Sequence, residues 1–175
     1  MESEFLESAK KQFDSYKQLG ERTFIQLPGE KLIFKFNEES NSIATIVKHL
    51  HGNMLSRWTD FLNSDGEKEW RTRDKEFDND VNSRTEILKL WDDGWKCLFT
   101  ALDSLEKNDL SKIIYIRNEK HTVEDAIIRQ LAHYPYHIGQ IVYIGKMIID
   151  SKWKSLSIPK NKSKEFNAAK FSQGK

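Results

Sequence analysis

The stretch His133-Tyr-Pro-Tyr-His137 sets two imidazoles four residues apart inside a strongly helical pattern. On a helix that spacing projects both rings from one face, one turn above the other. It is the spacing by which paired histidines reach a single metal ion. A third histidine, His49 or His51, lies on a separate amphipathic segment far upstream. Three neutral nitrogen donors would leave a divalent cation open positions for water or substrate. A zinc protease of the H-E-x-x-H type fits poorly, because the residue after the first histidine is Tyr134 and not the Glu that acts as general base. Pro135, between the two histidines, removes the hydrogen bond to the Leu131 carbonyl and should kink the helix. Such a kink either splays the rings or supplies the local widening that functional helices use.

Two long elements must bring these rings together. The downstream one opens on Thr122-Val-Glu-Asp125, a capping-box pattern, and runs to about Ile149. Its apolar positions are Val123, Ile127, Leu131, Tyr134, Ile138, Ile141, Val142, Gly145 and Ile149, and Gln130, His133 and His137 flank that stripe. The upstream helix starts at the N-cap residues Asn41-Ser42 and runs to about Asn63. Its stripe is Ile43, Ile46, Val47, Leu50, Met54, Trp58 and Phe61, with a polar row of His49, Asn53 and Arg57 beside it. Periodicity favours His51 as third ligand, since it lies nearer the stripe centre. The polar row favours His49, provided it lines a pocket.

Two further helices complete the pattern. One spans about Ser3 to Leu19 with Gly20 as its stop; the other spans about Ser83 to Leu105 with the seam Leu88, Trp91, Trp95, Leu98, Leu102 and Leu105. Leu27-Pro28-Gly29 marks a turn, and Leu32 to Phe36 reads as a short extended piece or an irregular apolar plug. Residues 64–82 form a charged connection long enough for a lid or crossover. Within it, Trp70, Arg71, Arg73 and Phe77 either cover a pocket mouth or anchor the loop, and the run Asp74 to Asp80 is a solvated acidic stretch, lacking the Gly and Glu of a calcium loop. Lys112 to Arg117 and Lys120 to Val123 suggest a small hairpin about Asn118-Glu119, with His121 exposed. The fold class is therefore all-α, a four-helix bundle with a long connection between the second and third helices. It occupies residues 1–150, and residues 151–175 form a basic tail packed on it or extending from it, with Trp153, Ile158 and Phe166 as docking points.

Composition bounds the function. The chain has 175 residues, 38% hydrophobic and 31% charged, enough for one domain with a sizeable core. A net charge of +1 gives no pointer to nucleic acid, although the tail alone carries seven Lys against one Glu. The opening residues lack an apolar leader and no run is long and apolar enough for a membrane span, so the expectation is a cytoplasmic protein with neither nucleic acid nor membrane as partner. The single cysteine, Cys97, excludes an internal disulfide and reads as a buried small apolar residue.

The ordered pair Asn41-Ser42-Ile43-Ala44 leading to Lys48-His49-Leu50, then Arg129-Gln130-Leu131-Ala132-His133-x-x-x-His137-x-Gly139-Gln140-Ile141, resembles the DinB/YfiT-like superfamily of bacterial four-helix metalloproteins. The resemblance covers most of residues 1–150. It implies that the metal ligands are His49, His133 and His137, choosing His49 over His51, and that the cofactor is Zn, Ni or Mn. It also implies a homodimer, and a kinship with transferases and isomerases that use bacillithiol, mycothiol or glutathione. Pro135 departs from the family pattern. The expected function is a metal-dependent transferase that activates a low-molecular-weight, bacillithiol-like thiol toward small electrophiles in detoxification or stress response. The alternative is a non-catalytic metal- or ligand-binding stress protein. An open site on a divalent metal delivers a thiolate at neutral pH without a neighbouring Glu base. Asn53, Arg57, Arg129 and the Lys-rich tail are candidates for holding the small-molecule substrate, and Gln130, Tyr134, Tyr136 and Gln140 are candidates for orienting the imidazoles.

Overall fold

Ser42 and Thr122 start the two helices that carry the histidines. In the computed structural model, which describes residues 4–173, Ser42 Oγ accepts from the Thr45 amide at 3.1 Å and opens α3 (Ile43–Trp58). Thr122 Oγ1 accepts from the Asp125 amide at 3.0 Å while the Asp125 carboxylate accepts from the Thr122 amide at 3.3 Å. This reciprocal pair satisfies two free donors and opens α5 (Val123–Ile149). Pro135 does not interrupt α5, which is continuous through it.

The protein is mostly helical. Before α3 come α1 (Glu4–Phe24) and a single turn, α2 (Gly29–Leu32); after it come α4 (Arg84–Asp103), the strands β1 (Ile113–Ile116) and β2 (Glu119–Thr122), then α5 and α6 (Ser163–Gln173). The long helices pack α3 on α4, α1 on α5, α3 on α5 and α1 on α4. At their centre Phe13, Trp95 and Tyr134 meet, with ring centroids 5.8–6.4 Å apart. Tyr134 is fully buried, and its hydroxyl accepts from Trp58 Nε1 at 3.0 Å and donates to Asn53 Oδ1 at 3.1 Å. Burial pushes that phenol well above its usual range, so it remains a neutral donor in the core.

Several sequence boundaries move. Gly20 does not end α1, which continues four residues further to Phe24. Instead, Gly20 is a contact point: a Cβ there would lie 2.3 Å from the buried Trp91 ring. Gly20→Ala should therefore lower the urea midpoint. Overpacking against a rigid indole costs about 1–3 kcal/mol, more than the roughly 1 kcal/mol that alanine gains over glycine in a helix. An unchanged or higher midpoint would show that the indole moves aside at no cost. The upstream histidine helix stops at Trp58 rather than Asn63, with Asp60 in the left-handed region at φ 45°. Ile87, fully buried, takes the seam position expected of Leu88, which is only partly buried. Of residues 32–36 only Leu32 is buried, at the end of the one-turn helix; Ile33, Phe34 and Phe36 are exposed, so no apolar plug forms.

The hairpin forms with its turn one residue earlier than expected. Arg117 and Asn118 are the turn residues, at φ 54° and 62°, which is the two-residue turn that matches strand twist. Val123 belongs to α5 and not to the strand, and His121 is half-buried rather than exposed. In the tail Trp153 is partly buried near Gly145, and the Lys154 amide donates to Gln26 Oε1 at 2.7 Å. Ile158 and Phe166 are exposed and do not dock. No helix among the described residues is long and apolar enough to cross a membrane.

Candidate metal centre

The connection between α3 and α4 covers the site. Lys48 of α3 donates to the carbonyls of Lys75 and Asp78, and Ser56 Oγ donates to the Gly66 carbonyl at 2.7 Å. Arg57 bonds the same Gly66 carbonyl and the Glu67 carboxylate, the latter at 3.2 Å. The far side of the segment is tied to the hairpin, where Asp65 accepts from the amides of Arg117 at 2.8 Å and Asn118 at 2.7 Å. These bonds seat the 3₁₀ turn Arg73–Phe77 on α3. As a result the polar row of α3 is buried: His49, Asn53 and Arg57 are each less than a tenth exposed.

Under that cover three rings converge. The His133 and His137 Nε2 atoms are 3.1 Å apart, and His49 Nε2 lies 3.5 Å from His133 Nε2. Among the described residues this is the one cluster of three such side chains that could hold a metal ion, its donor atoms all within 4.8 Å of one another. His51 is not part of it: it sits where α3 passes Gly94 of α4. The bond through Pro135 is lost without splaying the two α5 rings.

The remaining nitrogens are all engaged. His49 Nδ1 faces Glu76 Oε2 at 2.8 Å, His133 Nδ1 faces Gln130 Oε1 at 3.2 Å, and His137 Nδ1 faces Gln140 Oε1 at 2.8 Å. Each partner atom is an acceptor, so each Nδ1 carries the proton and each Nε2 presents a lone pair. Three lone pairs then face one another with no donor between them. That arrangement is repulsive alone and becomes favourable around a cation. The separations also fit: two nitrogens each at 2.0–2.1 Å from a tetrahedral ion lie about 3.3 Å apart. The electrostatics agree, since burial first, then the neighbouring His137 and His49, then Arg57 and Arg71, push His133 down to about 3. Burial likewise lowers His137, partly offset by its bond to Gln140. Both are ready as neutral ligands at ordinary pH.

Glu76 is the residue the sequence did not reveal. It sits in the acidic stretch read as solvated, yet it is 6% exposed. Arg71 clamps it from behind, Nε donating to Oε1 at 2.7 Å and Nη2 to Oε2 at 3.0 Å. Burial alone would raise its carboxyl, but the bonds from His49 and Arg71 outweigh burial and hold it below the usual carboxylate range. Phe77 stacks on the His49 ring at 5.4 Å. The one signal available was an over-long connection rich in Arg and aromatics.

Of the four residues considered for orienting the imidazoles, Gln130 and Gln140 each face a ring nitrogen, whereas Tyr134 and Tyr136 make no hydrogen bond to a histidine among the described residues. Tyr134 spends its hydroxyl in the core, and Tyr136 is exposed with only its ring against His137 at 4.9 Å. A cavity of about 370 Å³ opens over the histidines, lined also by Asn53, Phe77, Tyr136 and five arginines, 57, 71, 73, 117 and 129. Among the described residues the Lys-rich tail contributes none of its lining. A larger cavity of about 530 Å³ lies elsewhere, beside Trp58 and Cys97. Cys97 is half-buried rather than buried, and burial raises its thiol above the usual range, which makes it a poor nucleophile.

Residues 1–162 match the family model described as "Protein of unknown function (DUF1572)". No curated protein and no solved structure matches the chain.

Proposed function

This chain belongs to the DUF1572 family, and from that premise we propose that it is a metal-dependent transferase, built as a four-helix bundle of the DinB/YfiT type, that activates a low-molecular-weight thiol toward small electrophiles. The observation that carries this reading is the convergence of three Nε2 lone pairs beneath an arginine-lined cavity that has no Asp or Glu in its wall among the described residues. His49, His133 and His137 are the ligands, and a divalent cation held there would lower the pKa of a thiol drawn into an open position. The protein's own residues do the rest. Glu76, Gln130 and Gln140 hold the three rings in one tautomer, and Phe77 and the segment behind it shield the His49 side from water. In the transfer the thiol proton leaves to solvent, sulfur forms the new bond to the electrophilic carbon, and the leaving group departs with its electron pair. A hydrolase would want a carboxylate facing the reacting water, and Glu76, which bonds a histidine of the cluster, is directed at His49 Nδ1. The reading includes a cytoplasmic homodimer, for which Tyr136, Tyr143 and Met147, exposed along α5, offer an apolar surface to a second copy.

The test is direct. Metal is measured in the purified protein, and thiol consumption is followed with a model electrophile across a panel of thiols, with and without chelator. The expected result is about one divalent ion per chain at this one three-histidine site and turnover that chelator abolishes. Metal without turnover across the panel would overturn the transferase and leave the non-catalytic binding protein as the better account.

A further inference from the structure

The wall of the histidine cavity departs from the charge balance of the chain. The sequence has 28 basic and 27 acidic residues, yet among the described residues this wall holds five arginines and no carboxylate, while each of the other three cavities described includes at least one Asp. The carboxylates behind the wall are already shared. Glu67 alone meets Arg57 at 3.2 Å, Arg71 at 3.5 Å and Arg117 at 3.1 Å, and Glu76 takes Arg71. Asp65 is turned to the backbone amides of the hairpin turn. Arg73 and Arg129 have no carboxylate partner among the described residues; Arg73 rests on the Phe77 ring, its guanidinium 5.7 Å from the centroid. Arg57 is 7% exposed, and its Nε has no acceptor. These arginines come from four separate elements: α3, the connection after it, the turn between β1 and β2, and α5. Close approach of so many like charges is costly unless an anion offsets it.

We propose that this cavity binds a small molecule carrying at least two anionic groups, carboxylates or phosphates, with Arg73, Arg117 and Arg129 as the rim that takes them. Guanidinium groups suit both chemistries, because their forked donors match the paired oxygens of either group. The inference rests on the cavity being the substrate site of the proposed transferase and narrows that substrate to an acidic thiol or an acidic electrophile.

The experiment is calorimetric titration of the full chain, both as purified and after chelation and dialysis, with tricarballylate, inorganic pyrophosphate and the neutral triamide of tricarballylic acid. At least one of the two anions should bind roughly tenfold or more tightly than the triamide, given the strength of charge-assisted pairs. A response to pyrophosphate alone identifies phosphate as the ligand group; a response to tricarballylate alone identifies carboxylate. Arg73→Gln and Arg129→Gln remove no ion pair and should fold normally, and each should weaken binding by roughly 3–10-fold, the range for one partly exposed charged contact. Lys160→Gln/Lys164→Gln in the tail removes as much charge as the two arginine changes together and should leave binding unchanged. Anions that bind no better than the triamide, or a tail variant that loses as much affinity as the arginine variants, would overturn the proposal. Anion binding that persists without turnover of any acidic thiol would overturn the transferase reading alone.

Discussion

Replacing His137 with alanine should reduce bound divalent metal from about one ion per chain to almost none after dialysis, an affinity loss well beyond the roughly 10–100-fold that follows from removing a ligand's hydrogen-bond partner. Two of the three Nε2 atoms remain, but the 3.1 Å pair formed by successive turns of α5 is broken. His51→Ala should keep its metal, because His51 lies toward Gly94 of α4 and away from the cluster. If His51→Ala lost metal while His49→Ala retained it, the ligand assignment would be wrong. The variant also separates function from stability. In metal-free protein the three lone pairs repel, so deleting one ring should leave the metal-free melting temperature unchanged or slightly higher. Metal at 100 times its dissociation constant should stabilise the wild type by about 2.7 kcal/mol, a rise of roughly 5–10 °C for a chain of this size. His137→Ala should show no such rise. A metal-dependent rise that survives in this variant would place the ion elsewhere.

Much of the scaffold was legible because its signals are local. The Thr122 capping box, the stripe of α5 and the i, i+4 histidine pair depend on residues within a few positions of one another, and each appears where the pattern put it. The third histidine of the cluster was not legible by periodicity, and α3 shows why. An amphipathic pattern identifies a buried face only when the opposite face meets water. Thr45, His49, Asn53, Ser56 and Arg57 are all buried alongside the apolar stripe, because α4, α5 and the following connection enclose the helix. His49 therefore looked outward by hydropathy while lying inside the protein, and only the motif resemblance selected it. Glu76 was invisible for a related reason. Its charge suits a solvated loop, and nothing within the stretch announces the contacts to Arg71, five residues before it, and to His49 on α3. The effect of Pro135 was open because the sequence specifies the lost bond but not the packing of Tyr134, whose buried hydroxyl network holds that turn in place.

Glu76 carries the second large prediction. Glu76→Ala leaves the His49 Nδ1 proton without an acceptor and frees the ring to rotate, and it removes the negative charge behind that ring. Metal affinity should fall by about 10–100-fold, the usual consequence of losing a carboxylate behind a ligating histidine. Glu76→Gln keeps an acceptor oxygen without the charge and should fall between the alanine variant and wild type. Stability will also drop, since Arg71, nearly inaccessible in its side chain, keeps only Glu67 at 3.5 Å. Gly52→Ala tests the same carboxylate without deleting it. A Cβ at Gly52 would lie 2.3 Å from Glu76 Oε1 and 2.8 Å from Cδ, so the carboxylate must shift while every charge is retained. Alanine suits the interior of α3 and no charge is lost, but the displaced carboxylate also loosens from Arg71, so metal binding is compared at a temperature where both proteins are folded. Weakened metal binding in Gly52→Ala, with wild-type binding in the exposed loop variant Asp74→Ala, would tie affinity to the position of one carboxylate. If both Glu76→Ala and Gly52→Ala bound metal as tightly as wild type, Glu76 would be a fastener for the loop and nothing more. The graded order alanine, glutamine, glutamate is what separates orientation from anchoring, because a loop fastener would lose its effect on metal once the variants are compared at temperatures where all remain folded.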